Sequence, residues 1–338
     1  MKGIIIAGGF GTRLRPLTNN RPKHLLPVAN RPFLEYQVAL LREHGVTEIV
    51  LATNYFADKI EAHFGEGDAF GVRMRYALER EPLGTAGAIR NAASLLDPDT
   101  VLVLNGDILT DFDIGAVVAF HRERGARATI ALRPVERPHA FGVLDTETDG
   151  RVRRWREPSE EEKKRVAAQG GEKTGEVDYI NAGIYVLEPD VIASIPADRP
   201  VSIERETYPR LLESGALVYG IAPEGYWMDM GHPEQYLLAN AAVLRGLVRT
   251  EAPFSAGIDR SALPDAEIDD ATSLGRDVIV GRGSRVTESI MMDGARVGSN
   301  VHLHGVIAEE DVVIEDDVTA RRGVVLARGT VLRRGTRL

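Results

Sequence analysis

The sequence predicts an α/β chain in which a doubly wound sheet over the first two-thirds is followed by a parallel β-helix. Up to about residue 250, short β-rich runs alternate with longer helical patterns, the signature of βαβ units. The first of these runs, Gly3-Ile4-Ile5-Ile6-Ala7, breaks into Gly8-Gly9-Phe10-Gly11-Thr12-Arg13, a buried strand feeding a glycine-rich loop. Beyond about residue 250, apolar or small residues recur at every sixth position, an internal repeat.

In chain order, the strand candidates of the sheet are Ile4–Ala7, Glu48–Ala52, Arg73–Tyr76, Val101–Leu104 and Thr129–Leu132. Between the first two, Pro32 to His44 places Phe33, Tyr36, Leu40 and Leu41 at helical spacing, and Gly45 is a plausible stop. In a doubly wound sheet ligands bind beyond the carboxyl ends of the strands, where the glycine loop lies and where Val101-Leu102-Val103-Leu104 runs into Asn105-Gly106-Asp107. The repeat runs through Ile268, Leu274, Val280 and Val286, then Val297 and Leu303, then Ile314, Ala320, Leu326, Leu332 and Leu338. Its two breaks, from Val286 to Val297 and from Leu303 to Ile314, each span eleven positions. One inward aliphatic per hexad suits a β-helix of three faces and eighteen residues per turn, about four coils in all. The expected division is a domain over 1–240, a linker over 241–256 and a β-helix over 257–338.

Composition excludes several classes of function. The 338 residues carry 41 basic and 50 acidic side chains, a formal charge of −9, which argues against neutralising nucleic-acid phosphate as the main task. With no cysteine there is no disulfide framework, thiolate metal site or cysteine nucleophile. No stretch has a signal-peptide layout or membrane-spanning length, so the chain reads as soluble and cytoplasmic, with no membrane partner. The glycine loop is neither a P-loop, since no Gly-Lys-Ser/Thr follows, nor a G-x-G-x-x-G turn. It remains either an anion cradle followed by an arginine fork or an ordinary strand-to-helix turn.

Gly8-Gly9-Phe10-Gly11-Thr12-Arg13-Leu14-Arg15-Pro16-Leu17-Thr18, with Arg21-Pro22-Lys23 and Leu26-Pro27-Val28-Ala29-Asn30-Arg31-Pro32, resembles the opening signature of sugar-1-phosphate nucleotidylyltransferases. The likeness continues through Glu81-Pro82-Leu83-Gly84-Thr85-Ala86-Gly87, Asn105-Gly106-Asp107, Ile180-Asn181-Ala182-Gly183-Ile184-Tyr185 and Trp227-Met228-Asp229-Met230-Gly231. These segments are most similar to the mannose-1-phosphate guanylyltransferase branch, whose members also carry a C-terminal left-handed β-helix. The resemblance implies the matching nucleotide-diphospho-sugar transferase fold and the transfer of a nucleotidyl group, GTP favoured, to a sugar 1-phosphate, mannose 1-phosphate favoured. Thymidylyl, uridylyl or adenylyl transfer to glucose 1-phosphate, or a non-catalytic regulatory or scaffold relative, are the alternatives. Acyl transfer on the β-helix through His302 or His304 is a more remote one.

The chemistry fits that assignment. A phosphate monoester is largely ionised near neutral pH, so its oxygen attacks without a protein base, and the obstacle is repulsion from the triphosphate. Catalysis is then positioning plus neutralisation by Arg13, Lys23 and a Mg²⁺ on Asp107 and Asp229. The plain alternatives are surface cations for Arg13 and Lys23, a turn-former for Asp107 and a helix N-cap for Asp229. By the same resemblance Ala7, Gly8, Gly9, Gly11, Thr12, Asn105 and Gly106 line the nucleotide. Leu83, Gly84 and Thr85 form the base-reading turn, with Gly84 letting a flat base approach the backbone; its alternative is a helix start capped by Thr85. Gly142, Glu157, Asn181 and Glu204 border the sugar, the last two competing with a satisfied strand-end amide and an exposed helical glutamate.

One departure stands out. The family's Glu-Lys-Pro is Arg156-Glu157-Pro158 here, so an acid replaces the lysine expected on the sugar phosphate, and Arg156 lies one strand position away, on the opposite face. Lys163 and Lys164 are the nearest cations that follow. The β-helix is expected to mediate self-association into a homo-oligomer.

Overall fold

A computed structural model describes residues 1–136, 142–156, 159, 161, 175–197, 199–257, 263 and 265–338. The chain forms two compact units: Met1–Gly9 with Leu41–Ile108 and Phe112–Trp227, and Phe10–Leu40 with Leu109–Asp111 and Met228–Leu338.

The first unit is built on a nine-stranded mixed sheet. Its strands are β1 (Lys2–Ala7), β2 (Glu48–Thr53), β3 (Arg73–Leu78), β4 (Val101–Asn105), β5 (Ala128–Glu136), β6 (Val143–Thr146), β7 (Val152–Arg156), β8 (Val177–Leu187) and β9 (Val218–Ile221). The order β7-β6-β8-β4-β1-β2-β3 has β5 and β9 continuing from β8. All five strands expected from the sequence are present. Strands β4, β1, β2 and β3 run parallel, with Ile4 between Val50 and Val103. Strand β8 pairs antiparallel to both β4 and β5, and its register with β5 shifts between Asn181 and Tyr185. The central runs are apolar on both faces because helices cover both. Ala86, Ile89 and Ala92 of helix Gly84–Ala93 share one core with Ile4, Val103, Tyr185 and Tyr208, all 0% exposed. Helix Phe33–Glu43 falls within the expected 32–44.

The second unit holds the signature segment after the first glycines, helix Pro233–Leu244 and the β-helix. Three four-stranded parallel sheets stack coil on coil, giving the four coils predicted. The two eleven-residue breaks have a simple cause. Each is one step of five residues followed by one of six, with Met291 and Ala308 supplying inward side chains that strict sixfold spacing passes over. Successive coils therefore pair residues 17 apart, as in Val286 with Leu303 and Met291 with Ala308, and return to 18 from Ala308 to Leu326. The expected constant eighteen is corrected accordingly. A second inward row lies two residues before the first: Val301, Val306, Val312 and Val318 are all 0% exposed.

Side chains bind the signature segment to the rest of this unit. Asn240, 1% exposed, accepts from Ala29 N at 2.8 Å and donates to Ala271 O at 3.3 Å. Asn30 Nδ2 donates to Leu274 O at 2.9 Å, and Arg21 forms an ion pair with Glu310. An amide that donates on one side and accepts on the other fixes both at once, and leaving either group bare would cost about 1–3 kcal/mol.

Candidate active site

In the first unit the predicted residues sit at strand ends and in the turns beside them. Ala7 closes β1 in register with Thr53, Gly8 and Gly9 follow it, and Gly106 N donates to Ile6 O at 2.9 Å. Asn105 ends β4, and Asp107 lies half-buried in the turn after it. Neither Gly8 nor Gly9 is among the glycines at positive φ. In the second unit, Gly11 is, at +62°, and it opens a single 3₁₀ turn, Thr12–Leu14. The backbone demand for glycine in this loop therefore falls on Gly11.

Packing within the first unit itself requires glycine at position 84. It holds φ +71°, and a β-carbon on it would lie 2.6 Å from Val201 O. The space beside its α-carbon is occupied by the backbone of Val201, whose N donates to Leu83 O at 2.8 Å and whose carbonyl accepts from Ala86 N at 2.9 Å. The turn is thus laced to a distant segment. Leu83 is the N-cap of the helix, with no side-chain cap bond. Thr85 does not cap it. Its hydroxyl donates to Glu204 Oε2 at 2.9 Å and accepts from Ile203 N at 2.8 Å.

From Glu204 the network runs toward the sugar-side residues. Its Oε2 also accepts from Ser202 Oγ at 2.9 Å, and its Oε1 is 3.5 Å from the Tyr185 hydroxyl. That hydroxyl bonds to the Asn105 side chain and accepts from Asn181 Nδ2 at 2.7 Å. Burial and the neighbouring Glu204 carboxylate push the Tyr185 phenol well up, so it stays a neutral donor and acceptor. Thr85, Asn105, Asn181 and Glu204, four separate sequence candidates, thereby meet in one hydrogen-bonded chain. Glu204 is held by three side chains and is no free surface glutamate.

Tyr185 is a hub that sequence reasoning did not single out. Tyr185 closes the Ile180–Tyr185 motif, but a tyrosine beside Ile184, Val186 and Leu187 reads as core. Gly142 is half-buried after β5, and Glu157, Lys163 and Lys164 lie outside the described residues.

In the second unit, Arg13 Nη1 and His232 Nε2 are 2.9 Å apart. A β-carbon on Gly231 would lie 2.6 Å from Arg13 Nη2 and 2.9 Å from Asp229 Oδ1. A cation and a carboxylate both crowd that α-carbon, so a larger side chain there would displace them. His232, not Asp229, is the N-cap of helix Pro233–Leu244, which removes the N-cap alternative for Asp229. Lys23 opens a 3₁₀ turn after Pro22, and its Cβ packs 3.2 Å from the β-carbon position of Gly11. Arg21, two residues earlier, is tied to Glu310 of the β-helix. Among the described residues no three His, Asp or Glu side chains cluster as a metal cage. No described helix is long and apolar enough to cross a membrane.

Residues 2–246 match the nucleotidyl transferase family, and residues 260–323 match the GlmU-like C-terminal hexapeptide family. A mannose-1-phosphate guanylyltransferase of Mycobacterium tuberculosis is 38% identical over 301 residues, covering 87% of this chain and 80% of that protein. A mannose-1-phosphate guanyltransferase of Debaryomyces hansenii is 39% identical over 256 residues, 74% of this chain and 67% of that one. Among solved structures, HddC from Yersinia pseudotuberculosis complexed with GMP-PN is similar with a TM-score of 0.58 at 27% identity, over 71% of this chain and 97% of that one. A putative glucose-1-phosphate thymidylyltransferase from Bacillus anthracis reaches 0.61 at 27% identity, over 71% and 94%.

Proposed function

Because this chain belongs to the nucleotidyl transferase family, we propose that it transfers the nucleotidyl group of GTP to mannose 1-phosphate, releasing pyrophosphate and forming the nucleotide sugar. The observation that supports this best is the chain of contacts Thr85–Glu204–Tyr185–Asn181. It ties the turn assigned to the base to the residues assigned to the sugar. A base-and-sugar reader of that kind suits an enzyme that must hold two substrates at once and orient one phosphate on the other.

In this reading the sugar phosphate, already ionised, attacks the α-phosphorus in line and pyrophosphate leaves opposite. Arg13 and Lys23 neutralise phosphate charge, with Arg13 on the departing pyrophosphate. The loop residues Ala7, Gly8, Gly9, Gly11 and Thr12 offer backbone N–H groups to phosphate oxygens, beside Asn105 and Gly106. Gly142, Glu157, Asn181 and Glu204 are assigned to the sugar. A Mg²⁺ ion is the implied cofactor, with Asp107 and Asp229 as its protein ligands. Hard carboxylate oxygens suit that ion, and few protein ligands are what it needs, since it is commonly held by one or two carboxylates plus substrate phosphates. Bound there, the metal would offset negative charge on the phosphates. Arg13, pressed with Asp229 onto Gly231, balances that carboxylate within its own unit.

The remaining assignments complete the proposal: residues 1–240 form the catalytic segment, 241–256 the linker, and 257–338 the β-helix through which copies associate. The setting is the cytoplasm. A pyrophosphate-release assay tests the activity by crossing GTP, dTTP, UTP, CTP and ATP against mannose-, glucose- and N-acetylglucosamine-1-phosphate, with and without Mg²⁺. Fastest release is expected for GTP with mannose 1-phosphate. No release in any pairing would overturn the enzyme reading and leave a non-catalytic relative.

A further inference from the structure

We infer that Arg249 is a positioning residue for metal binding: by gripping Asp111 it fixes the strand pair that carries Asp229. This rests on the assignment of Mg²⁺ to Asp107 and Asp229 above and identifies what holds one of those carboxylates still. Asp229 ends the short strand Trp227–Asp229, whose pairing partner is Ile108–Thr110. Asp107 directly precedes that partner in the chain. A two-stranded ribbon is marginal by itself and has to be held from outside.

The hold comes from beyond helix Pro233–Leu244. Leu109 and Thr110 are buried, and Asp111 follows them, its side chain 6% exposed. Arg249, in the same second unit, meets Asp111 at three points. Its backbone N donates to Asp111 Oδ2 at 2.9 Å and its Nη2 to Asp111 O at 3.0 Å, while its Nε donates to Oδ2 at 3.4 Å. One residue thus takes both the carboxylate and the main chain of Asp111, so the end of the strand can neither slide nor rotate freely.

Arg249 is itself fixed. Val248 and Ala252, to either side of it, are each 4% exposed, so this stretch is packed, and Leu247 N donates to Ala242 O at 2.9 Å, tying it to the helix end. The path therefore closes on itself: from Asp229 through the helix to Arg249, across to Asp111, and back over the ribbon to Asp229. In such a ring Asp229 cannot shift without breaking a bond elsewhere. The Arg249 side chain is 76% exposed, and an ion pair with so exposed a partner adds little stability, so its value lies in position. Mg²⁺ demands near-ideal octahedral geometry, and a displaced ligand carboxylate loses affinity for it.

The test titrates Mn²⁺, whose EPR signal broadens on binding, into substrate-free protein, and separately measures the Mg²⁺ concentration for half-maximal pyrophosphate release. Arg249→Gln keeps the backbone N–H bond but removes the charged grip. It should weaken Mn²⁺ binding about three- to tenfold, less than the roughly 10–100-fold typical of a group bonded directly to a metal ligand, and raise the half-maximal Mg²⁺ by the same factor. At saturating Mg²⁺ its kcat should return to within about twofold of wild type, a rescue that a merely structural loss would not show. Should that variant fail to fold, Arg249→Lys, which keeps a charge beside Asp111 but cannot span its carboxylate and carbonyl together, takes its place in the same titration. Wild-type Mn²⁺ affinity in the folded variant, with Asp229→Asn weakened, overturns the inference and leaves the metal assignment standing. Asp229→Asn that binds Mn²⁺ as tightly as wild type removes the assignment and this inference together.

Discussion

The turns of the sheet unit and the corners of the β-helix meet the same backbone requirement with different freedom. At Gly84 a positive φ coincides with a carbonyl 2.6 Å from the β-carbon position, so conformation and space both demand glycine. In the β-helix the left-handed corners are filled by Asp277, Glu288, Asn300, Asp311 and Asp317 as well as by glycine. Gly323, Gly329 and Gly335 have nothing within 4 Å of that position. Those corners ask only for a backbone angle, which polar residues tolerate, whereas the Gly84 turn asks for an angle and an empty volume. Space-limited glycines, such as Gly84 and Gly281, therefore mark where segments close on one another, and open ones, such as Gly329, mark where the chain merely bends.

The sharpest way to break that contrast is to change chemistry without changing shape. Asp107→Asn should reduce turnover by roughly 100-fold or more while the melting temperature holds, as expected for loss of charge that acts on the reaction alone. Full turnover in this variant would remove Asp107 from the metal assignment. Gly84→Ala comes next, because the added methyl meets the Val201 carbonyl. It should cost about 2–4 kcal/mol in denaturant midpoint analysis and weaken nucleotide use as well. Unchanged KM for the nucleotide would separate the turn from the base.

Within the scaffold, Met291→Ala removes a fully buried side chain and should cost about 2–5 kcal/mol of stability, with kcat/KM of the folded protein retained. Glu310→Gln, which weakens the hold on Arg21, should raise the KM for nucleotide a few-fold through the Lys23 turn with little change in unfolding. A change confined to unfolding would show the pair to be structural only. Smallest of all, Gly329→Ala should cost about 1–2 kcal/mol and leave every kinetic constant alone.

Much of this was legible in the chain because the relevant forces are local. Val101-Leu102-Val103-Leu104 reads as a strand since burial on both faces leaves no polar alternation, and β4 is present over those residues. The hexads read equally well until a corner loses one residue, and Met291 and Ala308 then drop out of phase. Pairing between coils, which restores their place, is a contact between residues 17 apart and leaves no short-range pattern. The same holds for the site. Asn181 and Thr85 came from motifs, but their link through Tyr185 and Glu204 depends on how the strand and the 203–207 turn pack.

The five-residue steps have a further meaning for how this chain tolerates change in length. In the sheet unit a deletion within a strand would turn its later side chains to the wrong face. In the β-helix each corner resets the phase, so one residue lost between Val286 and Met291 is absorbed before the next strand begins. The domain keeps count in coils, each adding one interstrand spacing of about 4.8 Å to the stack. Its height is in effect a variable written in whole units, and inserting or removing one full coil would lengthen or shorten the stack while leaving each remaining rung with neighbours of the same kind.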